Sequence, residues 1–386
     1  MKKTLRKEMR IFLLALAFRA AVYALSVCVM AMMGEYSGGI HFSDFLEAWK
    51  RWDSAHYINI AENGYMGAIE NGEHIFLVFY PLYPWMMRTL ALLFHDYRLC
   101  GILISLACYG AGCVFFYRIT EREFGERAAQ NALVLISVFP FGFFFGSIAT
   151  ESLFFFLAAA FFYYLGRAQW PKTALLGFLA CLCKVQGLVL AFAVLAEIFH
   201  SQRGIRLLLT GRWKDFWKRV ILPGCICSLM LLGFGLYLLI NWHVEGDPFR
   251  FMYYQRNHWH NSLCPIWQTF TYVKNYALGG WHTSEGMSMW TPELALFFIF
   301  LIMIGYGLRR RMRPMYLMYL VVFFLLTYSS TWLMSAGRYT LSALPVFMLG
   351  GEWVSRHEKW KTPVIVFSSM LMTLYMIGYY SWKQVM

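Results

Sequence analysis

Charged residues are scarce in this chain. They make up 14% of its 386 residues, against about 25% in a soluble domain, so an ordinary soluble globular domain is excluded. Acids are scarcer than bases, 21 Asp and Glu against 34 Lys and Arg. Several chemical signatures are missing. No Asp-x-Asp pair offers to hold a metal and a nucleotide-sugar diphosphate. No G-x-x-x-x-G-K-[ST] loop points to an ATP-driven pump. No G-x-S-x-G turn presents a nucleophilic serine. Cys181/Cys183 and Cys225/Cys227 lack the His and the spacing of a zinc site. Eight of the nine cysteines fall in apolar runs, Cys264 excepted, so no disulfide framework is expected. No small-residue cleavage site follows the first apolar run, which therefore reads as a retained span. Linkers, low-complexity segments and clear internal repeats are also absent, and residues 1–386 read as a single polytopic domain.

Hydrophobic residues, at 59%, fill runs of about 20 residues, the length that crosses a bilayer. The first span runs from about Ile11 to Met33, behind a tail containing Lys2, Lys3, Arg6, Lys7 and Arg10. Further spans are expected near 99–117, 128–147, 151–165, 220–241, 291–308, 314–333, 339–354 and 362–382. Most remaining cations fall in short loops: Arg118/Arg122/Arg127, Arg167/Lys172, the segment from Arg203 to Arg219, Arg309/Arg310/Arg311/Arg313, and Arg356/Lys359/Lys361. The positive-inside rule assigns these loops and the N-terminus to the cytoplasm. The net charge of +13 thereby reads as topology, and nucleic acid is not expected as a partner. Loops 34–98 and 242–290 then face out.

Two stretches are ambiguous. Phe76–Phe94 is apolar enough to cross but carries Pro81, Pro84 and Arg88. Thr173–His200 is long for one span and holds Lys184 and Gly187 at its middle. A surface helix for the first, and two half-helices meeting at Lys184-Val185-Gln186-Gly187 for the second, keep every basic loop on one side. In the rival topology both stretches cross once. The fold class is thus an all-α integral membrane protein: a helical bundle with about 11 membrane segments and juxtamembrane helices in the first outer loop.

Certain polar residues stand out against this background. Asp53, His56 and Tyr57 share a helical face, with Trp52, Ile60 and Ala61 expected to face the membrane in part; alternatively Asp53 is a loop acid paired with Arg51. Glu151 occupies a very short turn, where it either caps the next helix or enters a cavity. Lys184 inside an apolar run costs about 2.5–3.5 kcal/mol on insertion scales, so it requires water, an anion at opened backbone amides, or an acid such as Glu151 across helices. Arg338-Tyr339 ends a span, where snorkelling is the plainer reading. His258 and His260, two apart, do not share a helix face and are not expected to bind metal.

In order along the chain, Trp52-Asp53 with His56-Tyr57, Ile60-Ala61-x-x-Gly64-Tyr65, Phe79-Tyr80-Pro81-Leu82-Tyr83-Pro84, Thr150-Glu151-Ser152-Leu153-Phe154, Gly246-Asp247-Pro248 and Arg338-Tyr339 followed by Pro345 resemble the motifs of the PIG-V mannosyltransferases (GPI mannosyltransferase 2 and bacterial relatives). Lys184-Val185-Gln186-Gly187 departs from that family's Arg-Ser-Asn-Gly-like segment while keeping a cation, an amide and a glycine. The resemblance implies the GT-C class of glycosyltransferases and a polyprenyl- or dolichyl-phosphate sugar donor. It also implies catalysis on the non-cytoplasmic face, with a first-loop carboxylate as base. The chain's length favours a bacterial relative in the plasma membrane, the endoplasmic reticulum being the site for a eukaryotic one.

On this reading Asp53 is the catalytic base. Lys184 and Arg338 are candidates for the donor phosphate, and His56, Tyr57, Glu151, Gln186 and Tyr339 for further substrate contacts. Expected partners are the lipid-linked donor, a glycan or glycolipid acceptor and membrane lipids, with a small membrane subunit left open. No metal or cofactor is expected. A transporter or lipid flippase is the alternative; it would place its charges at the midplane between repeated halves.

Overall fold

The computed structural model describes residues 2–33, 39–201 and 203–381. The start of the first outer loop, 34–38, and the side chains of Lys2 and Lys3 lie outside the described residues. Among the described residues the only β pairing is isolated bridges.

The helices are α1 (Lys2–Met32), α2 (Phe42–Ala48), α3 (Asp53–Gly67), α4 (Leu82–Phe94), α5 (Tyr97–Phe124), α6 (Glu126–Val138), α7 (Glu151–Leu165), α8 (Trp170–Cys183), α9 (Leu190–Ser201) and α10 (Gly204–Leu209). They continue with α11 (Trp213–Phe216), α12 (Leu222–Ser228), α13 (Leu231–Glu245), α14 (Arg250–His258), α15 (Ile266–Gly279), α16 (Thr291–Arg309), α17 (Pro314–Thr327), α18 (Ala336–Thr340), α19 (Leu344–Arg356) and α20 (Lys361–Tyr380). Among the described residues, five stretches are long and apolar enough to cross a membrane: Leu5–Met32, Tyr97–Phe124, Trp213–Glu245, Gly286–Arg309 and Glu358–Tyr380. Shorter apolar helices, among them Glu151–Leu165 and Pro314–Thr327, pack between them.

The bundle has two distinct ends. At one, the basic loops are laced together by ion pairs. Lys7 bonds Glu121 and Glu126 at 2.7 and 2.8 Å, and Arg118 bonds Glu8 at 2.7 Å. Arg122 donates to the Gly166 carbonyl, the Arg313 amide donates to Glu123, and Arg313 pairs with Glu197. Arg310 and Arg356 share Glu352. At the other end the two long loops meet. His258 reaches Glu73 at 2.8 Å, Trp259 packs edge-on to Phe79, and the Tyr237 hydroxyl donates to the Leu77 carbonyl. All the basic loops therefore share one end, as one side of a membrane requires.

Both ambiguous stretches start and finish at a single end. Tyr83, near the start of α4, donates to the Gly101 carbonyl near the loop end of α5. Just past α4, Asp96 pairs with Arg98, which also holds Glu47 of α2. Helix α4 thus lies along the loop end, burying Tyr83, Met87 and Ala91 and exposing Leu92 and Leu93. Helix α8 leaves the basic end, reaches the start of α7 at Lys184, and α9 returns to the basic end at Glu197. The break is built into the backbone. Lys184 is extended (φ −165°, ψ 150°), and the chain folds back so tightly that a Cβ at Gly187 would sit 2.5 Å from the Ala180 backbone. Two amides there are used internally: Lys184 N–H donates to the Ala180 carbonyl and Gly187 N–H to the Lys184 carbonyl.

Other expectations are corrected as well. The span expected at 128–147 ends at Val138, because the residue before Pro140 is driven out of the helical region; Phe139 adopts φ −53°, ψ 142°. The span expected at 314–333 ends at Thr327. Ser329 and Thr331 then pair with Cys264 and Ser262 of the second long loop. Ile60 and Ala61 do not face the membrane but are buried within the protein, since α3 packs on α4 and α5. The Arg203–Arg219 segment, expected as a loop, is largely helical.

The end assignment predicts the outcome of single-cysteine labelling in a cysteine-depleted background. Arg127→Cys, at an exposed site on the basic end, should resist a membrane-impermeant maleimide added outside intact cells, and Glu70→Cys should react. Outside labelling at 127 would overturn the placement of 76–94 as a surface helix.

Candidate active site

Four charged side chains from four distant elements converge at the loop end. Asp53 is the first residue of α3 and Glu151 the first of α7, so both acids sit at the positive ends of helix dipoles. Lys184 occupies the break after α8, and Arg338 lies in the short helix α18. Arg338 bridges the acids: Nη1 donates to Asp53 Oδ2 at 2.5 Å, and Nε and Nη2 donate to Glu151 at 2.7 and 3.4 Å. Lys184 Nζ donates to the same Glu151 Oε1 at 2.7 Å. The Glu151 side chain is wholly buried, those of Arg338 and Lys184 are 6% and 12% exposed, and that of Asp53 is 28% exposed. Asp53 is thus the most exposed of the four. The acid that answers Lys184 lies across helices rather than on its own stretch; Lys184 is ion-paired, and Arg338 is a buried bridge rather than a snorkelling cation.

The backbone around the cluster is irregular where it must be. Trp52, just before Asp53, holds φ +52° and ψ −126°, a region costly for a side-chain-bearing residue and found at functional sites. Gly64 kinks α3 at φ +68°, and the Tyr65 hydroxyl then donates to the Phe79 carbonyl at 2.5 Å. These two motif residues join α3 to the segment before α4. The Gly246-Asp247-Pro248 motif is a helix stop: Gly246 caps α13 at φ +72°, and Asp247 accepts the Phe249 amide.

The remaining sequence-predicted residues lie around this cluster. The Tyr57 ring packs edge-on to Phe79 and Tyr83; burial and the nearby Asp53 charge push its phenol well above the ordinary range, so it stays protonated. His56 packs its ring on Phe76 and Phe79 at 5.0 and 5.1 Å, and burial lowers its pKa, so at neutral pH it is an uncharged imidazole. The Lys184 ammonium lies 5.6 Å from the Tyr339 ring centroid. Gln186 is buried beside the break, with no hydrogen-bond partner at its side-chain oxygen, and makes no bond to the four-charge cluster.

Two buried charged residues that bond segments around the cluster do not stand out in the sequence reading. Arg19, fully buried in α1, donates to the carbonyls of Gly142 at 2.6 Å and Ser137 at 3.0 Å. With Tyr23, which donates to Gly146, it pins the bend leading to Glu151. A lone cation in an apolar run is the signal that singled out Lys184, and it was available for Arg19. Glu293 is the other; it reads from sequence as an ordinary first-turn acid of α16.

The fold is that of the GT-C class. Aligned with the crystal structure of ArnT from Cupriavidus metallidurans bound to undecaprenyl phosphate, the chain superimposes with a TM-score of 0.50 and 12% identity, over 88% of this chain and 72% of that one. The apo structure of ArnT from the same organism aligns with a TM-score of 0.49 and 13% identity, over 88% of this chain and 74% of that one. Residues 80–230, which contain Glu151 and Lys184, match the family described as dolichyl-phosphate-mannose-protein mannosyltransferase. No curated protein matches the chain.

Removing one partner from a buried ion pair costs about 3–5 kcal/mol, because the other charge is stranded. Arg338→Met should therefore lower the thermal midpoint of the purified protein markedly, and adding Glu151→Gln should recover part of the loss. An unchanged midpoint for Arg338→Met would show that the guanidinium is not the counter-ion of these acids.

Proposed function

We propose that this protein is a GT-C glycosyltransferase, and more finely a mannosyltransferase. It would move a hexose from a polyprenyl- or dolichyl-phosphate donor to a glycan or glycolipid acceptor on the non-cytoplasmic face. The observation that carries this reading is the one-ended cluster of Asp53, Glu151, Lys184 and Arg338, in which one carboxylate is open and the others are buried. The order of the PIG-V-like motifs and the family match over 80–230 support mannose. A transporter's charges would line a path at the midplane, whereas these gather at one end.

The chemistry follows from the roles the geometry allows. The acceptor hydroxyl oxygen forms a bond to C1 of the donor sugar as the bond from C1 to the phosphate oxygen breaks. The lipid phosphate leaves with the electron pair, and the hydroxyl proton passes to the Asp53 carboxylate. A single displacement inverts C1. Lys184 spends one of its three donors on Glu151 and is the cation assigned to the departing phosphate, where a dry site strengthens its pull. Arg338, bonded to both acids, orients Asp53. His56, Tyr57, Gln186 and Tyr339 shape the pocket around the sugars. No metal takes part in this scheme.

Asp53→Asn retains size and an acceptor oxygen but cannot take the proton. Loss of a general base typically costs about 10²–10⁴-fold, so transfer should fall by that much while the protein inserts and purifies as before. Turnover near the wild-type rate would remove Asp53 from the mechanism.

The donor is tested separately. Purified protein should transfer from a synthetic polyprenyl-phosphate hexose in the presence of EDTA, and Lys184→Gln should raise KM for that donor. Metal-dependent use of a nucleotide sugar instead would refute both the donor and the role of Lys184.

A further inference from the structure

Helix α18 carries Arg338 yet is only five residues long. A helix so short has no stability of its own, since nucleation is unfavourable and few bonds repay it. Its geometry must be imposed from outside, and two contacts do so. On one side Phe141 closes on Gly337, where a Cβ would lie 2.4 Å from the ring. On the other, the Glu293 carboxyl group accepts the Ala336 amide at 2.7 Å. This is the first N–H group of α18, which no bond inside the helix satisfies.

Glu293 is 1% exposed. Its Oε1 serves the Ala336 amide, and its Oε2 has no hydrogen-bond partner. A buried carboxyl group is costly without a hydrogen-bond partner, and the bond its side chain makes is to the start of α18. Glu293 lies in α16, which continues unbroken from a π-helical turn at Gly286–Trp290, so no free helix N-terminus lies beside it for its side chain to cap. It reaches across to another helix instead.

We infer that Glu293 is a positioning residue for the transfer reaction: it fixes the first turn of α18, and through it the Arg338 guanidinium that orients Asp53 against Glu151. The inference rests on the proposed glycosyltransferase reading for its kinetic consequence, but not for its structural one. The acceptor oxygen is what matters, so glutamine should serve and alanine should not. The Tyr328 hydroxyl donates to the Glu293 backbone carbonyl, a contact that substitution of the side chain leaves in place.

The experiment compares wild type, Glu293→Gln and Glu293→Ala in detergent or nanodiscs, with two readouts. In transfer assays with a polyprenyl-phosphate hexose, Glu293→Ala should lose about tenfold or more in kcat with KM for the donor changed less than about threefold, and Glu293→Gln should stay within about threefold of wild type in both. In parallel, phenylglyoxal modification followed by mass spectrometry should find Arg338 protected in wild type and Glu293→Gln, but modified several times faster in Glu293→Ala, with exposed Arg127 unchanged. Wild-type kinetics for Glu293→Ala with Arg338 still protected would overturn the inference, as would a Glu293→Gln variant as impaired as alanine. If Glu293→Ala does not purify in a folded form, Glu293→Gln decides alone, a tenfold loss in kcat counting against it. Absence of any transfer by wild type would count against the glycosyltransferase reading, while the modification pattern would still report on Glu293.

Discussion

The contact on which this architecture turns is the Arg338 guanidinium held between two carboxylates. Asp53 and Arg338 lie 285 residues apart in sequence, and Arg338 and Glu151 187 apart. A buried charge is tolerated in a low-dielectric setting only with partners. The cluster can therefore exist only if α3, α7, the α8–α9 break and α18 are each delivered to the same place. Coulomb attraction supplies the reason for convergence, and the helical bundle supplies the means.

Delivery needs irregular backbone, and in a membrane every irregular amide or carbonyl needs a partner within the protein. The solutions differ element by element. The bend at 139–150 is bonded by Arg19 and Tyr23 of α1 and by Ser105, which donates to the Ser147 carbonyl. The segment between α3 and α4 gives its Leu77 and Phe79 carbonyls to Tyr237 and Tyr65. The stretch before α18 pairs with residues of the second long loop, and Tyr272 donates to the Ser330 carbonyl. Tyrosine recurs because its ring is apolar enough for the bundle while its hydroxyl reaches a stray carbonyl. The long loops thus hold the end that carries the charge cluster together as well as covering it.

Much of this was legible in the sequence. Span positions and the shared end of the basic loops follow from hydropathy and charge, which act locally and leave a local record. The surface helix at α4 and the paired half-helices around Lys184 could be chosen because each protected the same charge rule. Among site residues, Asp53, Glu151, Lys184 and Arg338 were visible as polar exceptions in apolar surroundings. Their mutual bonds were not, since pairing depends on which helices pack together. Glu293 was hidden for a related reason: in the sequence, an acid at the start of an apolar run already has a local explanation. Span ends at Val138 and Thr327 were overrun because hydropathy does not distinguish a helix from an apolar 3-10 turn or loop packed inside the bundle.

The charge balance of the cluster bears on why it contains two acids and two cations rather than a lone base. At rest Asp53, Glu151, Lys184 and Arg338 sum to zero, the least costly state for groups facing a membrane. On the proposed chemistry a lipid phosphodiester brings one negative charge. As the bond at C1 breaks, the phosphate gains a second, while Asp53 loses its own by taking the proton. The total in the site is unchanged through the step, and charge only moves, from the carboxylate at one side of Arg338 toward the phosphate at Lys184. Glu151 stays ionised between the two cations throughout and keeps both in place. A site with Asp53 alone would leave the new phosphate charge unanswered, and one with the cations alone would bind the lipid product too tightly to release it. The buried glutamate, which touches no reactant in this scheme, is what lets two cations sit together and still let go.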